Sequence, residues 1–479
     1  MKTTTIIGRE NEISALEKCM TSDKSEFVVV FGRRRIGKTH LVNNYFENRF
    51  TFSYTGVQNI SNQQQLAIFS MALAKQSPQL EAIPEIRNWF DAFNGLILLI
   101  ESTTKAGTKS KQVIFIDEMP WIDHSKSGFI QALEYFWNGW AARRNDIVLI
   151  ACGSATSWIV DKLMHHKGGL FNRITRHIYL RPFTLHEVEK FLDYYHFQWD
   201  RYQIAQCYMI MGGVPFYLTL LDPSLSLAQN IDRLFFSGSN APLRIEYAEL
   251  YASLFNNPVN YISVVRALAE KREGMNRNEI IKKTGIEGET LTKILKDLER
   301  CDFIFSYMRY GNKKNNMIYR IKDFYTLFYY KYVDGQQDRD TERWSHAINT
   351  PQVNSWQGFS FELLCLNHLE AIKKRLGING QLTTSTTWRS RKQEQRAQIA
   401  LVIERADRII NLCEIKFAND LYVIDKQYEN RLRERKSQFI LETKNRKTAV
   451  ITMITTFGIA HNKHSGIVTS EVVLDDLFE

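Results

Sequence analysis

A glycine-rich loop near the N-terminus has the residue types and spacing that bind phosphate. Residues 32–39 read Gly-Arg-Arg-Arg-Ile-Gly-Lys-Thr and fit the pattern G-x-x-x-x-G-K-[ST]. The apolar run 27–31 precedes them and a helical pattern follows from residue 40. This strand, loop and helix order is the context in which the pattern cradles nucleotide phosphates with backbone N–H groups. The alternative is a glycine-rich turn that holds no ligand.

Each part of this loop has an expected role in binding ATP. Lys38 would reach the β- and γ-phosphates, and the Thr39 hydroxyl would hold Mg²⁺. The predicted cofactor-binding residues of the loop and the helix start are Gly32, Arg33, Arg34, Arg35, Ile36, Gly37, Lys38, Thr39 and His40.

A second apolar run ends in two carboxylates. Residues 113–116 are followed by Asp117 and Glu118. Asp117 would bind Mg²⁺, directly or through water, and Glu118 would polarise the attacking water as a general base. An acidic turn after a strand is the alternative, and the phosphate loop makes it the weaker one.

Two further polar residues are candidates with less specific signals. Ser154 follows the apolar run 147–151 and is placed to sense the γ-phosphate, although serine also favours turns. Arg173 is placed to contact phosphate or to act as an arginine finger, although surface arginines are common.

The spacing of apolar residues predicts the elements that position these side chains. Short, continuous apolar runs suit strands buried on both faces of a parallel sheet, so residues 1–190 are expected to form a P-loop α/β core. Residues 191–245 read as a helical lid broken at Gly212-Gly213-Val214-Pro215. In residues 246–335, helices followed by a hairpin predict a winged helix.

The remaining residues read as a polar linker over 336–352 and then a smaller α/β domain over 340–479. That domain has a helix over 359–376, strands over 399–403, 408–415 and 448–453, and a basic helix over 426–440.

The aromatic run 324–330 is expected in a core. Basic residues around the winged helix are placed to contact DNA phosphates, or are merely solvated: Arg277, Lys282, Lys283, Lys293, Lys296, Lys313 and Lys314.

Several of these segments together resemble a known family. They are Ile7-Gly8-Arg9-Glu10, the phosphate loop, Ile-Asp-Glu at 116–118, Cys-Gly-Ser at 152–154 and Gly-Gly-Val-Pro-Phe-Tyr-Leu at 212–218. The set looks like the archaeal-type ATPases of the STAND and AAA+ group, over essentially the whole chain. The resemblance implies that Gly8 and Arg9 lie near the adenine and that the helices after the core form a lid.

Members of this group often carry a C-terminal domain similar to PD-(D/E)XK nucleases. The resemblance implies catalytic roles for Glu362 on the first helix and for Glu414 and Lys416 in a Glu-x-Lys strand, with Glu414 as a metal ligand. Ala400 occupies the position of the central aspartate. A methyl group cannot ligate a metal, so cleavage is expected to be nearly abolished. Either the domain has degenerated and only binds DNA, or an aspartate was deliberately replaced; the intact remainder favours replacement.

Composition limits the class of protein. The net charge of +10 is compatible with a polyanionic partner, and no apolar run approaches the ~20 residues of a membrane span. Six scattered cysteines without a zinc spacing suit a reduced, cytoplasmic protein. We therefore expect an ATPase coupled to a metal-dependent nuclease domain that acts on DNA, with double-stranded DNA favoured, in genome defence or DNA processing. A monomer and a homo-oligomer are both compatible with the sequence. The alternatives are a STAND-type signalling switch and a regulatory DNA-binding ATPase without nuclease activity.

Overall fold

The computed structural model describes residues 5–76, 85–103, 110–124, 126–154, 156–164, 170, 172–255, 257–311, 317–336, 340–390 and 397–479. The chain divides into two compact units, Met1–Arg181 and Pro182–Glu479. Lys313 and Lys314 lie outside the described residues. Among the described helices, none combines the length and the apolar character that crossing a membrane requires.

The first unit is built on a five-stranded parallel sheet. Its strands are β1 Glu26–Phe31, β2 Phe52–Thr55, β3 Gln112–Asp117, β4 Ile147–Gly153 and β5 Arg176–Tyr179. Their order is β2-β3-β4-β1-β5, and every paired neighbour is parallel. Strands β1, β3 and β4 are buried along their whole length, as their continuous apolar runs predict.

Helices cover both faces of this sheet. They are α1 Glu10–Met20, α2 Lys38–Tyr45, α3 Asn62–Gln76, α4 Trp89–Thr103, α5 Phe129–Gly139 and the short α6 Thr156–Trp158. One core joins the strands to Phe69, Phe93 and Phe136 of α3, α4 and α5. The other joins them to Leu16 and Leu41 of α1 and α2. Two apolar layers therefore fix the sheet from both sides.

The second unit begins with helices α7 Leu185–Tyr194, α8 Arg201–Met211, α9 Pro215–Leu218, α10 Leu227–Ile231 and α11 Pro242–Leu254. Thr184, Asp200 and Ser226 form capping boxes that start α7, α8 and α10. The break predicted at Gly212 is confirmed, since α8 ends there. Gly213 is required by packing, because a Cβ there would lie 1.9 Å from the carbonyl oxygen of Phe183.

A helix, strand, helix, helix and hairpin follow. These are α12 Pro258–Glu270, β6 Met275–Asn276, α13 Arg277–Thr284, α14 Gly288–Arg300, β7 Ile304–Met308 and β8 Met317–Ile321. The three strands form an antiparallel sheet in the order β6-β8-β7. In α14 the helically spaced residues Leu291, Ile294, Leu295 and Leu298 are buried, as expected. The next helix, α15 Phe324–Phe328, buries its aromatic residues, so the prediction of a core position is confirmed.

The C-terminal part is a mixed sheet with one long crossover helix. Its strands are β9 Thr383–Arg389, β10 Gln398–Arg405, β11 Ile409–Lys416, β12 Tyr422–Val423, β13 Thr448–Thr455, β14 Ile459–Ala460 and β15 Val468–Val473. The main order is β15-β13-β11-β10-β9, and β12 pairs separately with β14. Strands β9, β10 and β11 are antiparallel, whereas β11, β13 and β15 are parallel. Helix α19, Lys426–Thr443, connects β11 to β13. Its buried residues Leu432 and Phe439 pack against strands of this sheet.

Two boundaries differ from the sequence expectation. The segment 336–352, expected to be a linker, contains helix α16, Arg343–Ala347. Trp344 of this helix is buried, and its backbone N–H donates a 2.7 Å hydrogen bond to Oδ1 of Asp232. The helix expected over 359–376 is two helices, α17 Pro351–Asn367 and α18 Leu369–Arg375. It begins earlier because Thr350 caps it and proline suits its first position.

His368 lies between α17 and α18, where its imidazole is buried. Its Nε2 accepts a 3.1 Å hydrogen bond from the backbone N–H of Leu185, so its Nδ1 must donate the 2.9 Å bond to the carbonyl oxygen of Leu364. Both bonds need a neutral ring. Burial lowers the pKa of His368 to about 4.

This geometry predicts a pH-dependent stability. The unfolded chain takes up the His368 proton below its ordinary pKa of about 6.5, whereas the folded chain resists it until about 4. The stabilisation that neutral His368 provides is therefore fully present above the pKa of the unfolded chain. It is lost as the pH falls towards the pKa of the folded chain. Between pH 7 and pH 5 the loss should be about 2 kcal/mol. Urea unfolding of the chain and of His368→Gln, which keeps a donor and an acceptor but does not titrate, should diverge over this range. Parallel curves would contradict the assignment.

Candidate ATP site and a second polar site

The phosphate loop runs from the end of β1 to the start of α2. Gly32 has φ 146°, and a Cβ there would lie 2.3 Å from the carbonyl oxygen of Leu180. Only glycine therefore lets the chain leave β1 in this direction. At the other end Gly37, with φ 87°, precedes the first residue of α2. The backbone N–H groups at the N-terminus of α2 give the loop the positive potential that phosphate needs.

Lys38 and Thr39 are the first two residues of α2. The Lys38 ammonium is buried and lies over the loop, where it donates to the carbonyl oxygens of Gly32 at 3.0 Å and Arg33 at 2.9 Å. The Thr39 hydroxyl donates a 2.7 Å hydrogen bond to Oδ2 of Asp117, the last residue of β3. The two halves of the predicted site are thus in direct contact.

Glu118 and Ser154 also meet. Glu118 follows β3 with φ 46°, a left-handed conformation that turns its side chain towards the end of β4. Its Oε1 accepts a 2.8 Å hydrogen bond from the Ser154 hydroxyl, and its Oε2 accepts one of 3.3 Å from the Ser154 backbone N–H. Ser154 therefore orients the carboxylate that was predicted to act as general base.

The other predicted residues of this unit differ in their placement. Arg9 has φ 65° and donates from Nη2 to the carbonyl oxygen of Ile36 at 3.2 Å, so the segment after Gly8 touches the loop. Arg33 is buried, Arg34 and Arg35 are half-buried, and His40 is exposed on α2. Arg173 lies exposed in the turn before β5. Its role stays a prediction.

The donor set at this edge suits Mg²⁺. That ion keeps several waters and binds through one or two carboxylates together with substrate phosphates. Thr39 and Asp117 supply a hydroxyl and a carboxylate in contact, and Glu118 is adjacent. Across the described residues there is no cluster of three or more His, Cys, Asp or Glu side chains placed to cage a metal by themselves. A metal here would therefore depend on the phosphates as further ligands.

A second polar site lies in the C-terminal sheet. Glu362 on α17, Ala400 on β10 and Lys416 on β11 line one cavity. Glu414, on the same strand as Lys416, lies with its Oε1 3.1 Å from the Lys416 ammonium. The structure thus brings together the four residues that the nuclease resemblance selected.

The Glu414 carboxylate is already satisfied by its neighbours. Its Oε1 accepts a 2.6 Å hydrogen bond from the Tyr428 hydroxyl and lies 3.1 Å from the Lys416 ammonium, and its Oε2 pairs with the guanidinium of Arg435. Burial alone would raise the pKa of Glu414, but the charges of Lys416 and Arg435 hold it below its ordinary value. Burial also raises the pKa of Glu362, although the Arg320 guanidinium opposes this.

Sequence reasoning missed Arg435 and Arg320 at this site. Arg435 follows Tyr428 and Leu432 at the helical spacing of four and three, so the buried face of α19 could have indicated that it points inward. Arg320 had no such signal, because alternation along a short strand does not distinguish a buried arginine from an exposed one.

Comparison with known proteins agrees with the geometry of the first site. Residues 6–221 match the family described as an ATPase domain predominantly from Archaea. An uncharacterised protein of Methanocaldococcus jannaschii is 26% identical over 331 residues, which cover 68% of each chain. An uncharacterised ATP-binding protein of the same organism is 35% identical over 43 residues, 9% of this chain and 73% of that one.

Among solved structures, the Walker-type ATPase PABY2304 of Pyrococcus abyssi aligns with a TM-score of 0.49 and 16% identity. The alignment covers 68% of this chain and 96% of that one. The family match covers less than half of the 479 residues and concerns residues 6–221 alone. Residues 6–221 carry an archaeal-type ATPase domain on a P-loop α/β fold.

Proposed function

We propose that the chain binds ATP with Mg²⁺ at the phosphate loop, hydrolyses it, and uses the nucleotide state to control an action on DNA. The contact of Thr39 with Asp117 carries the first part of this proposal, because it joins the loop to the acidic end of β3. A loop without hydrolytic function would not need that carboxylate at its threonine.

The residues divide the work of hydrolysis. Lys38 would leave the carbonyl oxygens of Gly32 and Arg33 for the β- and γ-phosphates, which are stronger acceptors. Glu118, held by Ser154, would orient and polarise the attacking water. Mg²⁺, when bound, neutralises charge on the phosphates. Arg173 would supply a further positive charge only after its turn approaches the nucleotide.

The DNA part of the proposal is supported by the second unit. We interpret the segment from α12 to β8 as a winged helix, whose second or third helix enters a groove of DNA. On α13 and α14 the side chains of Lys282, Lys293 and Lys296 are exposed and placed to contact phosphates, whereas Lys283 pairs with Glu270 at 2.7 Å. A STAND-type switch, in which ATP holds a conformation and a partner is recruited, is the rival function.

Lys38→Ala should abolish ATP hydrolysis, since it removes the one loop cation predicted to reach the γ-phosphate. Phosphate release is measured with and without double-stranded DNA, and Lys75→Ala, a lysine at the end of α3, is the matched control. Turnover of Lys38→Ala equal to that of the unmodified chain would refute the site. Stimulation of the unmodified chain by DNA supports the DNA-acting function; slow turnover that DNA leaves unchanged supports the switch.

The cavity with Glu362, Ala400 and Lys416 favours a second candidate function, a nuclease-type site disabled at one position. Restriction-endonuclease-like sites need convergent carboxylates to hold a metal against the scissile phosphate. With a methyl group at 400 and with Glu414 engaged by Arg435 and Lys416, this chain is expected to bind DNA here without cutting it.

Ala400→Asp should restore cleavage if the site is of this type, because the new carboxylate would lie in the cavity that Glu362 and Lys416 also line and could hold a metal ion there. Nicking of plasmid DNA is followed with Mg²⁺ or Mn²⁺ and ATP. Ala400→Asn, of equal size but neutral, should remain inactive, and so should Ala400→Asp combined with Glu414→Gln. If Ala400→Asp cuts no DNA or RNA, the nuclease assignment fails while the ATPase proposal stands.

A further inference from the structure

The cavity that Glu362, Ala400 and Lys416 share in the second unit is also strongly basic. It has a volume of about 440 Å³ and is lined by the hairpin β7–β8, by α17 and by strands β9, β10 and β11. This volume falls in the range of about 300–1,000 Å³ that small-ligand sites occupy. Its cationic lining residues are Arg272, Arg309, Arg320, Arg389 and Lys416.

Arg320 is the residue of this cavity that gives the main evidence for a ligand. It is only 6% exposed, and its Nε and Nη2 atoms are buried with no hydrogen-bond partner in the described part of the chain. Its guanidinium stacks over the Phe359 ring with 4.6 Å between centres, so an aromatic face fixes its position without accepting its hydrogen bonds. A buried guanidinium with unsatisfied donors is costly, and an anion with several oxygens would satisfy it.

The acidic residues of the cavity neutralise only part of its positive charge. Glu273 is committed to an ion pair with Arg389. Glu362 also lines the cavity and acts on Arg320 only at a distance. Lys416 pairs with Glu414 at 3.1 Å. Three arginines, Arg272, Arg309 and Arg320, therefore face the one remaining carboxylate of the lining, that of Glu362. The excess of positive charge therefore remains, and it favours an anionic ligand.

Aromatic side chains complete the lining. Tyr307, Phe359, Trp388 and Phe417 contribute to the walls. Guanidinium groups recognise phosphate through paired N–H donors, and aromatic faces stack on nucleobases. We propose that this cavity binds the terminal phosphate of a nucleotide, held by Arg320 and its cationic neighbours without a metal ion. Either the end of a nucleic-acid strand or a free mononucleotide would supply this group.

The cavity contains Ala400 and Lys416, so the strand-end form of this inference rests on the proposed action on DNA and deepens it. With a methyl group at Ala400, the arginines are the groups of this cavity that are suited to hold a phosphate. The volume of the cavity suits a small ligand such as a single nucleotide. Binding by a free nucleotide would instead make the cavity a sensing site, independent of that proposal.

The test uses the full chain in the Lys38→Ala background, with EDTA present, so that neither the phosphate loop nor a metal contributes the signal. A short fluorescent single-stranded DNA with a 5′-phosphate is compared with its 5′-hydroxyl form and with adenosine monophosphate as competitor. The phosphate should tighten binding by about tenfold or more. Arg320→Met should remove this difference. So should Gly358→Glu, which places a carboxylate in open space on the cavity wall. Arg49→Met, which removes an exposed arginine, should keep it.

Thermal unfolding without ligand separates a binding role from a structural one. Arg320→Met should leave the unfolding temperature unchanged or higher, because it removes unsatisfied buried donors. No preference for the 5′-phosphate, or a preference that survives both cavity variants, would overturn the inference. A lower unfolding temperature for Arg320→Met with unchanged binding of the Gly358→Glu variant would do so too. Competition by the mononucleotide at equal affinity identifies the free-nucleotide source; its absence identifies the strand end. DNA-stimulated ATP turnover, measured separately, can fail without affecting any of these outcomes.

Discussion

The 2.7 Å hydrogen bond from Thr39 to Asp117 is the contact on which the first site depends. It links the first turn of α2, the helix that follows β1, to the end of β3, and in the sheet the buried strand β4 lies between β1 and β3. Because β1, β3 and β4 are parallel and buried on both faces, their carboxyl ends are held at one edge and cannot slide past one another. The phosphate loop and Glu118 are therefore held in one geometry, which the proposed phosphate binding and water activation both require.

In the second unit, a buried carboxylate lies next to a basic cavity. Its Glu414 lies buried, and the guanidinium of Arg435, the Lys416 ammonium and the Tyr428 hydroxyl stabilise its charge. In this chain the Glu414 carboxylate is therefore a structural ion-pair partner. The adjoining cavity has the opposite imbalance, since Arg320 lacks acceptors there. The two arrangements together favour binding of a phosphate by arginine over binding of a metal by carboxylates.

The sequence allowed most of the first site to be predicted, for a physical reason. Strands buried on both faces need continuous apolar runs, so β1, β3 and β4 were evident, and the glycine spacing of the loop is demanded by its backbone. The missed strands are β2, β5, β6, β9, β12, β14 and β15. Each lies at the edge of its sheet, and β9 reads Thr-Thr-Ser-Thr-Thr-Trp-Arg with mostly half-exposed residues. An edge strand needs only a few buried positions, so its composition resembles that of a loop.

Contacts between distant segments were the other part that no local pattern could give. The bond between Glu118 and Ser154, and the burial of Arg320 beside Phe359, depend on strand order and helix placement and leave no trace in residue spacing. The six cysteines were easier: all are free and buried, as their apolar contexts predict.

The central claim is that binding and hydrolysis of ATP use separate residues at one sheet edge. Glu118→Gln tests it most directly, because the amide keeps the size and the hydrogen-bonding reach of the side chain but cannot act as a base. After incubation with ATP and Mg²⁺, unbound nucleotide is removed, each protein is denatured, and the nucleotide that it releases is identified by chromatography. We expect ATP from the variant and ADP from the unmodified chain. ADP from both, formed at the same rate, would contradict the claim.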